Sequence, residues 1–161
     1  MKVILINPPY LEGFSRPSRS PAVTKSGTLY FPIFLSYLAG YLTRRGHNVK
    51  LIDCIADAGK SKQIFNLIKD FNPEFIFSDT SIPSGRSDAD FLDKIKNTFQ
   101  DLFCTLVGVY PTSYYDELQT GNRQFDAFIR FEFEDSAEQI IRKRLAVNLE
   151  TVYIRNQTGR Y

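Results

Sequence analysis

The chain has 161 residues, of which 43% are hydrophobic and 24% are charged, and its formal net charge is +2. This length fits one domain with a substantial core, and the small net charge, with basic residues scattered among Asp and Glu, excludes a typical nucleic-acid binder. No apolar run approaches the roughly twenty residues of a membrane span, and the N-terminus enters a strand without a signal-peptide pattern. We therefore expect a cytoplasmic protein with no nucleic-acid or membrane partner.

The two cysteines, Cys54 and Cys104, are isolated from each other and from any His/Cys cluster. This arrangement predicts no zinc or iron–sulfur site within the chain and no disulfide framework. Each cysteine lies beside an apolar strand segment, where a buried small hydrophobe is the simplest interpretation. Such thiols are consistent with a reducing cytoplasm.

The first third of the chain predicts a strand–loop–helix–strand unit. An apolar strand covers Lys2–Asn7, an amphipathic helix covers about Ile33 to Arg45 with Gly46 as its C-terminal cap, and a second strand covers Asn48–Asp53. The connection between the first strand and the helix is far longer than the usual two to six residues. Ligands of open α/β sheets bind at the carboxyl ends of the strands, so this loop indicates the functional edge.

The remainder continues the alternation of strands and helices. We predict helices at about Lys60–Phe71, Asp88–Phe99, Ser113–Leu118 and Asp135–Leu145, strands at Phe75–Phe77, Phe103–Val107 and Phe125–Ile129, and a short final strand at Val152–Ile154 that enters a hairpin turn. Alternation predicts a parallel sheet with helices on both faces. The expected fold is α/β, a flavodoxin-like (Rossmann-like), doubly wound sheet of five parallel strands in the order 2-1-3-4-5 with a short C-terminal β-extension.

Several loops at the predicted carboxyl edge are polar. The loop from Pro8 to Leu29 supplies hydroxyls and cations, and it either covers a ligand or is a solvated loop. The segment Ser78–Ser87 is rich in hydroxyls and precedes a helix, where free amides suit a phosphate or an amide, although helix capping explains part of this pattern. Gly108 lets the backbone approach a ligand or forms a simple turn.

No catalytic set emerges from the sequence. His47 is the only histidine, and it follows the first helix at the edge opposite the crevice, so we interpret it as a surface turn residue. A Ser–His–Asp triad cannot be assembled there, and Walker A and Gly-x-Gly-x-x-Gly patterns are absent. Asp79 has the position of a receiver-domain phosphoacceptor, but Asn7-Pro8-Pro9 replaces the acidic pair that such domains carry.

Four segments together resemble the N-terminal cobalamin (B12)-binding domain of the B12-dependent radical SAM enzymes. Ile4–Pro9 is similar to the family's strand followed by Asn-Pro-Pro, and Pro32–Asp53 is similar to its block Pro-x-Gly-Leu-x-Tyr-Leu-Ala-x-Tyr-Leu-x-x-x-Gly-His-x-Val-x-x-Ile-Asp. Val107–Thr112 is similar to Gly-Gly-x-His/Tyr-Pro-Thr, and Arg130–Glu134 to Arg-Gly-Glu-Gly-Glu. The resemblance covers essentially the whole chain.

This resemblance implies a cobalamin crevice at the ends of the first and third strands. The implied cofactor-binding residues are Asn7, Pro8, Pro9, Ser78, Thr80, Ser81, Gly108, Tyr110, Pro111, Thr112, Arg130, Phe131 and Glu132. The Asp-x-His-x-x-Gly motif, whose histidine coordinates cobalt in other B12 proteins, is absent, so the cobalamin would not be ligated by histidine. Residues 1–148 would form the cobalamin-binding domain, and residues 149–161 would form a linker that begins the next domain.

Two departures from the family matter. The family's Cys-x-x-x-Cys-x-x-Cys is absent, so a 4Fe-4S cluster and S-adenosylmethionine would belong to a C-terminal barrel outside this chain, which is then an isolated domain or a piece of a longer protein. Phe131 and Phe133 replace both glycines of the Arg-Gly-Glu-Gly-Glu loop, and each phenylalanine either packs on the ligand or blocks it.

The resemblance implies a function in which the chain itself contributes no catalytic acid or base. It would position a corrinoid for methyl transfer or radical-based oxidation by a barrel in cis, within a radical SAM methyltransferase or oxidoreductase. The alternative is a degenerate, cofactor-free flavodoxin-like module for protein interaction or substrate gating. A stand-alone flavodoxin-like enzyme lacks an identified catalytic set.

Overall fold

The computed structural model describes residues 1–17, 21–143 and 152–154. Within them the elements are β1 (Lys2–Asn7), β2 (Phe14–Ser15), β3 (Ala22–Val23), α1 (Ile33–Arg44), β4 (Asn48–Asp53), α2 (Ala58–Phe71), β5 (Phe75–Ser78), α3 (Gly85–Thr98), β6 (Phe103–Leu106), α4 (Val109–Ser113), α5 (Tyr115–Thr120), β7 (Ala127–Ile129), α6 (Glu134–Lys143) and β8 (Val152–Ile154).

The main sheet has six strands in the order β4-β1-β5-β6-β7-β8. The first five are parallel, which confirms the doubly wound α/β fold and the order expected for its parallel strands. The sixth strand, β8, pairs antiparallel with β7 and enlarges the sheet at that edge. Because the chain runs from β1 to β4 on one side and then crosses to β5 on the other, the topological switch point lies between β1 and β5.

Helices cover both faces of the sheet, and this explains why the strands are apolar at successive positions rather than alternating ones. In β1, Val3 and Leu5 face a core cluster built with α1 and α6, whereas Ile4 and Ile6 face the second cluster, built with α2 and α3. All four are fully buried. The sheet is thereby held rigidly enough to position the loops at its carboxyl edge.

Several boundaries differ from those predicted. The helix expected from Asp88 begins at Gly85, so Asp88 lies in its first turn, where its carboxylate accepts from Arg16 and Ser84. The single turn expected before the fifth strand is two short helices, α4 and α5. The predicted end of the last helix at Leu145, the hairpin turn after Ile154 and the domain boundary at residue 148 lie outside the described residues.

The long β1–α1 connection contains a small antiparallel pair, β2 and β3, that the sequence did not predict. Strands of two residues carry no periodic signal, so only tertiary contacts reveal them. Phe14, Ser15 and Arg16 of this loop are buried against the domain. The first part of the loop is therefore anchored at the switch point and is not a freely solvated segment.

Gly46 has a φ of +85° directly after α1, and its amide donates to the carbonyl of Thr43. This left-handed conformation ends the helix, as predicted, because glycine has no Cβ to clash there. In the part of the chain that the structure describes, no helix combines the length and apolar character needed to cross a bilayer.

Candidate functional site

A cavity of about 490 Å³ opens at the carboxyl edge of the sheet, among the loops that follow β5, β6 and β7. Six of the predicted cofactor-binding residues line it: Thr80, Ser81, Gly108, Thr112, Phe131 and Glu132. Its volume is within the range of small-molecule sites, about 300–1,000 Å³. The structure thus brings together residues from three loops that are distant in sequence, at the edge where this fold binds ligands.

The floor of the cavity is built by Asp79 and Thr80, directly after β5. The Thr80 amide donates to Asp79 Oδ1 at 2.9 Å, and the Thr80 hydroxyl donates to the carbonyl of Val107 at 2.6 Å. Gly108 packs on this floor with a φ of +102°, and a Cβ there would lie 2.7 Å from Asp79 Oδ1 and from the Thr80 carbonyl oxygen. Glycine is required at this position because the end of β6 approaches the end of β5 closely. Gly108 therefore has a structural role in the packing of these two strand ends.

Arg16 reaches from the β1–α1 loop into the interior beside this floor. One Nη atom donates to Asn7 Oδ1 at 2.5 Å and to the Pro8 carbonyl at 3.1 Å, and the other donates to Asp88 Oδ1 at 2.5 Å. Arg16 and Asp88 are both buried, so the ion pair is shielded from water. Burying the Arg16 charge without these partners would cost several kcal/mol. The hydrogen bonds to Asn7, Pro8 and Asp88 therefore hold the β1–α1 loop at the switch point.

Burial also controls the ionisation of the two aspartates near Arg16. Removal from water raises the pKa of Asp79 to about 7, although the Arg16 charge and the Thr80 amide act in the opposite direction. Burial likewise raises the pKa of Asp88 to about 6, against the effects of Arg16 and Ser84. A perturbed carboxyl in a cleft is a common mark of a functional site, although structural networks produce it too.

The hydroxyls around the cavity are largely committed to the protein itself. The Ser81 and Ser84 hydroxyls lie 2.6 Å apart, and Ser84 donates to Asp88 Oδ2 at 2.6 Å. The Thr112 hydroxyl accepts the amide of Phe131 at 2.8 Å. These bonds order the loops after β5, β6 and β7 relative to one another before any ligand arrives.

The two phenylalanines that replace the family's glycines lie in different environments. Phe131 is 57% exposed at the mouth of the cavity, and Phe133 is 6% exposed and packs in the core beside α6. Both line the cavity without filling it. Phe131 also has a φ of +61°, in the left-handed region that favours glycine. This conformation costs a bulky L-residue about 1–2 kcal/mol.

The other predicted site residues do not line the cavity, and several have structural partners. Asn7 donates to Asp53 Oδ1 at 2.8 Å, and the Arg130 guanidinium lies 4.0 Å from the Tyr115 ring centre. Tyr110 is buried and donates to Glu117 Oε1 at 2.9 Å. Four further predicted residues also do not line the cavity: Pro8, Pro9, Ser78 and Pro111.

His47 is far from this site, at the amino edge of the sheet, as predicted. It is not a freely exposed turn residue, because its Nε2 lies 2.7 Å from Glu138 Oε2 and its side chain is only 10% exposed. The interaction links the end of α1 to α6. Cys54 and Cys104 are both buried, as expected, and burial raises the pKa of the Cys104 thiol.

Sequence reasoning missed several residues of the cavity wall. Phe34, Ile82 and Val109 are exposed apolar side chains around it, and single exposed hydrophobics give no sequence signal. Arg16 is one of many polar residues in its loop, and the sequence relates Asp79 only to the phosphoacceptor of receiver domains. The position of Asp79 immediately after a buried strand was the available signal for its place in the site.

The fold and the position of the cavity define a flavodoxin-like α/β domain with a pocket at the carboxyl edge of its sheet. The family model for the B12 binding domain matches residues 19–141, and the chain belongs to this family.

Individual relatives agree with this assignment. The chain is 29% identical over 142 residues to the uncharacterised methyltransferase PH0819 of Pyrococcus horikoshii, a match that covers 88% of the chain. It superimposes with a TM-score of 0.73 on the cobalamin-dependent S-adenosylmethionine radical enzyme OxsB with aqua-cobalamin and S-adenosylmethionine bound, at 18% identity over 98% of the chain. The TM-score is 0.66 for the radical S-adenosylmethionine methyltransferase TsrM from Kitasatospora setae with tryptophan and a SAM analogue, at 13% identity over 99% of the chain.

The chain spans only a minor part of each relative. It covers 29% of the length of PH0819, 21% of OxsB and 29% of TsrM. At these identities the two structural matches establish the fold alone, which the chain shares with a part of OxsB and a part of TsrM.

Proposed function

We propose that the chain binds cobalamin at the carboxyl-edge cavity and acts as the cofactor-binding domain of a larger radical SAM enzyme. The observation that carries this proposal is the open cavity at the switch-point edge, which Phe131 and Phe133 line without closing. If the two phenylalanines had filled that volume, the cofactor-free alternative would have been favoured.

The residues that line the cavity fit one face and one edge of a corrinoid. The cavity has an apolar rim formed by Phe34, Ile82, Val109 and Phe131, above a polar floor that contains Asp79. A corrin has a broad apolar face and an edge of amide side chains, so the rim suits its face and the floor suits its edge. His47 lies at the opposite edge of the sheet, so cobalt at the cavity would have no histidine ligand from the described residues.

When bound, a corrinoid supplies a cobalt that carries a methyl group or takes part in redox chemistry. The residues of this chain would bind and orient it: the rim excludes water, and the preordered loops fix the position of the floor. The 4Fe-4S cluster and S-adenosylmethionine would be bound by a barrel elsewhere in the same protein. The reaction would then be methyl transfer or a radical-based oxidation of the substrate.

Retention of cobalamin tests the proposal directly. The purified chain is mixed with hydroxocobalamin, separated from unbound ligand by gel filtration, and examined by visible spectroscopy. A corrin band retained at near-stoichiometric level is the expected result. A chain that is folded by circular dichroism but retains no corrin would contradict the proposal and favour the cofactor-free module.

Phe131 provides a sharper test, because its ring is at the mouth of the cavity. If the ring packs on the corrinoid, Phe131→Gly weakens binding, although glycine removes the strain of the positive φ. The expected loss is about tenfold, as for removal of one aromatic contact of about 1–1.5 kcal/mol. Tyr37→Ala is the matched control, since Tyr37 is a similarly exposed aromatic of α1 that does not line the cavity. Tighter binding by Phe131→Gly would show that the ring obstructs the site.

A further inference from the structure

The carboxylate of Asp79 lies on the cavity floor with one of its two oxygens hydrogen-bonded to the protein. The residue is 6% exposed and lines the cavity. Oδ1 accepts the Thr80 amide, and no other hydrogen bond or ion pair to its side chain exists among the described residues. Its second oxygen therefore remains available for a donor that enters from the cavity.

No described cation forms an ion pair with this carboxylate, although the charge of Arg16 favours its ionised form. Among the described residues that line the cavity, Arg16 is the only cation, and its two Nη atoms are committed to Asn7, Pro8 and Asp88. Glu132 and Glu134 add two further carboxylates to the wall. Among the described residues, a ligand group placed against Asp79 thus meets more carboxylates than cations in a partly desolvated site, where electrostatic interactions are strengthened.

A metal ion is not the ligand that this arrangement fits. Within residues 1–17, 21–143 and 152–154, no group of three or more His, Cys, Asp or Glu side chains is close enough to hold a metal ion. A single buried carboxylate oxygen beside an apolar rim suits instead one uncharged hydrogen-bond donor on a mainly apolar ligand.

We infer that Asp79 makes the site selective for corrinoids whose side chains are amides rather than carboxylic acids, by accepting an N–H from one amide at the corrin edge. This inference rests on the proposed cobalamin-binding function. An amide at that position donates to the free oxygen of Asp79. A carboxylate at the same position has no proton to donate and carries the same charge as Asp79, and such like-charge juxtaposition is costly when desolvated.

The test compares hydroxocobalamin with its monocarboxylic acids, in each of which one propionamide is hydrolysed to a carboxylate. Their dissociation constants with the chain are measured by equilibrium dialysis at pH 8, above the pKa of about 7 at Asp79. At least one monoacid is expected to bind about tenfold or more weakly than hydroxocobalamin, given the cost of opposing like charges. Asp79→Asn is expected to bind that monoacid and hydroxocobalamin with equal affinity.

Asp101→Asn is the matched control, because it removes the same charge from an exposed position before β6. It should retain the selectivity of the unaltered chain. Equal binding of all the monoacids and hydroxocobalamin by the unaltered chain would overturn the inference while leaving cobalamin binding intact. Selectivity that persists in Asp79→Asn would overturn it as well. Failure of the folded, unaltered chain to bind any corrinoid would instead refute the proposed function on which the inference rests.

Discussion

Replacement of Asp79 by Asn should stabilise the protein, with an advantage that appears above about pH 4 and grows until the pH passes the raised pKa of Asp79. Burial raises the pKa of Asp79 from an ordinary value of 3.8 to about 7. One pKa unit corresponds to about 1.36 kcal/mol, so ionisation of this carboxyl lowers the free energy of unfolding by up to about 4 kcal/mol. Because its pKa is raised, the folded state holds the Asp79 proton more tightly than the unfolded state does. The stabilising contribution of the protonated carboxyl is therefore fully present below about pH 4, and it is lost as the pH rises to 7.

Urea unfolding followed by circular dichroism from pH 5 to pH 8 measures this effect. The stability advantage of Asp79→Asn over the unaltered chain should grow by about 2–3 kcal/mol across that range. Because Asp88 titrates in both proteins, the difference between them reports on Asp79 and on its electrostatic coupling to Asp88. Asp101→Asn, at an exposed position, should show no comparable growth. If the difference in free energy of unfolding between Asp79→Asn and the unaltered chain is the same at pH 5 and pH 8, then Asp79 is not a buried carboxyl with a raised pKa.

Two further substitutions test the packing that shapes the cavity. Arg16→Met should lower the free energy of unfolding by about 3–5 kcal/mol at pH 8, because it leaves Asp88 buried without its cation. The loss should be smaller at pH 5, where the carboxyls take up protons. Equal losses at both pH values in urea unfolding would contradict this prediction. Gly85→Ala should cost about 1–3 kcal/mol or more, since the new Cβ would lie 2.1 Å from ring atoms of the buried Tyr110. Gly40→Ala in α1, where nothing lies within 4 Å of the added Cβ, should instead stabilise by about 1 kcal/mol, and similar thermal midpoints for the two variants would exclude the steric explanation.

The fold could be predicted because its signals are local and periodic. Apolar segments such as Lys2–Asn7 and Phe75–Ser78 are too short for helices and too uniformly apolar for a half-exposed strand, so a sheet covered on both faces follows. The stripe on Ile33–Arg44 and the cap at Gly46 define the first helix for the same reason. Two-residue strands such as β2 are too short to show a periodic pattern of apolar residues, so only the tertiary contacts of their loop reveal them.

The site could be predicted only in outline. Parallel topology brings the ends of the strands to one edge, so Thr80, Gly108 and Thr112 could be assigned to it from their positions after strands. Arg130 and Tyr110 were assigned by resemblance, and the structure shows them packed against Tyr115 and Gly85 instead of lining the cavity. Side-chain direction at the end of a strand depends on neighbouring loops, which a single sequence does not describe.

By itself, the sequence determined the class of fold, the edge of the sheet at which the cavity lies and the family to which the chain belongs, because each depends on periodicity or on motifs contiguous along the chain. Tertiary structure decided that Arg16 is buried against Asp88, that Asp79 is desolvated on the floor of a cavity, and that Phe131 and Phe133 leave the cavity open. These properties arise from groups distant in sequence whose separation, burial and charge balance exist only once the chain has folded.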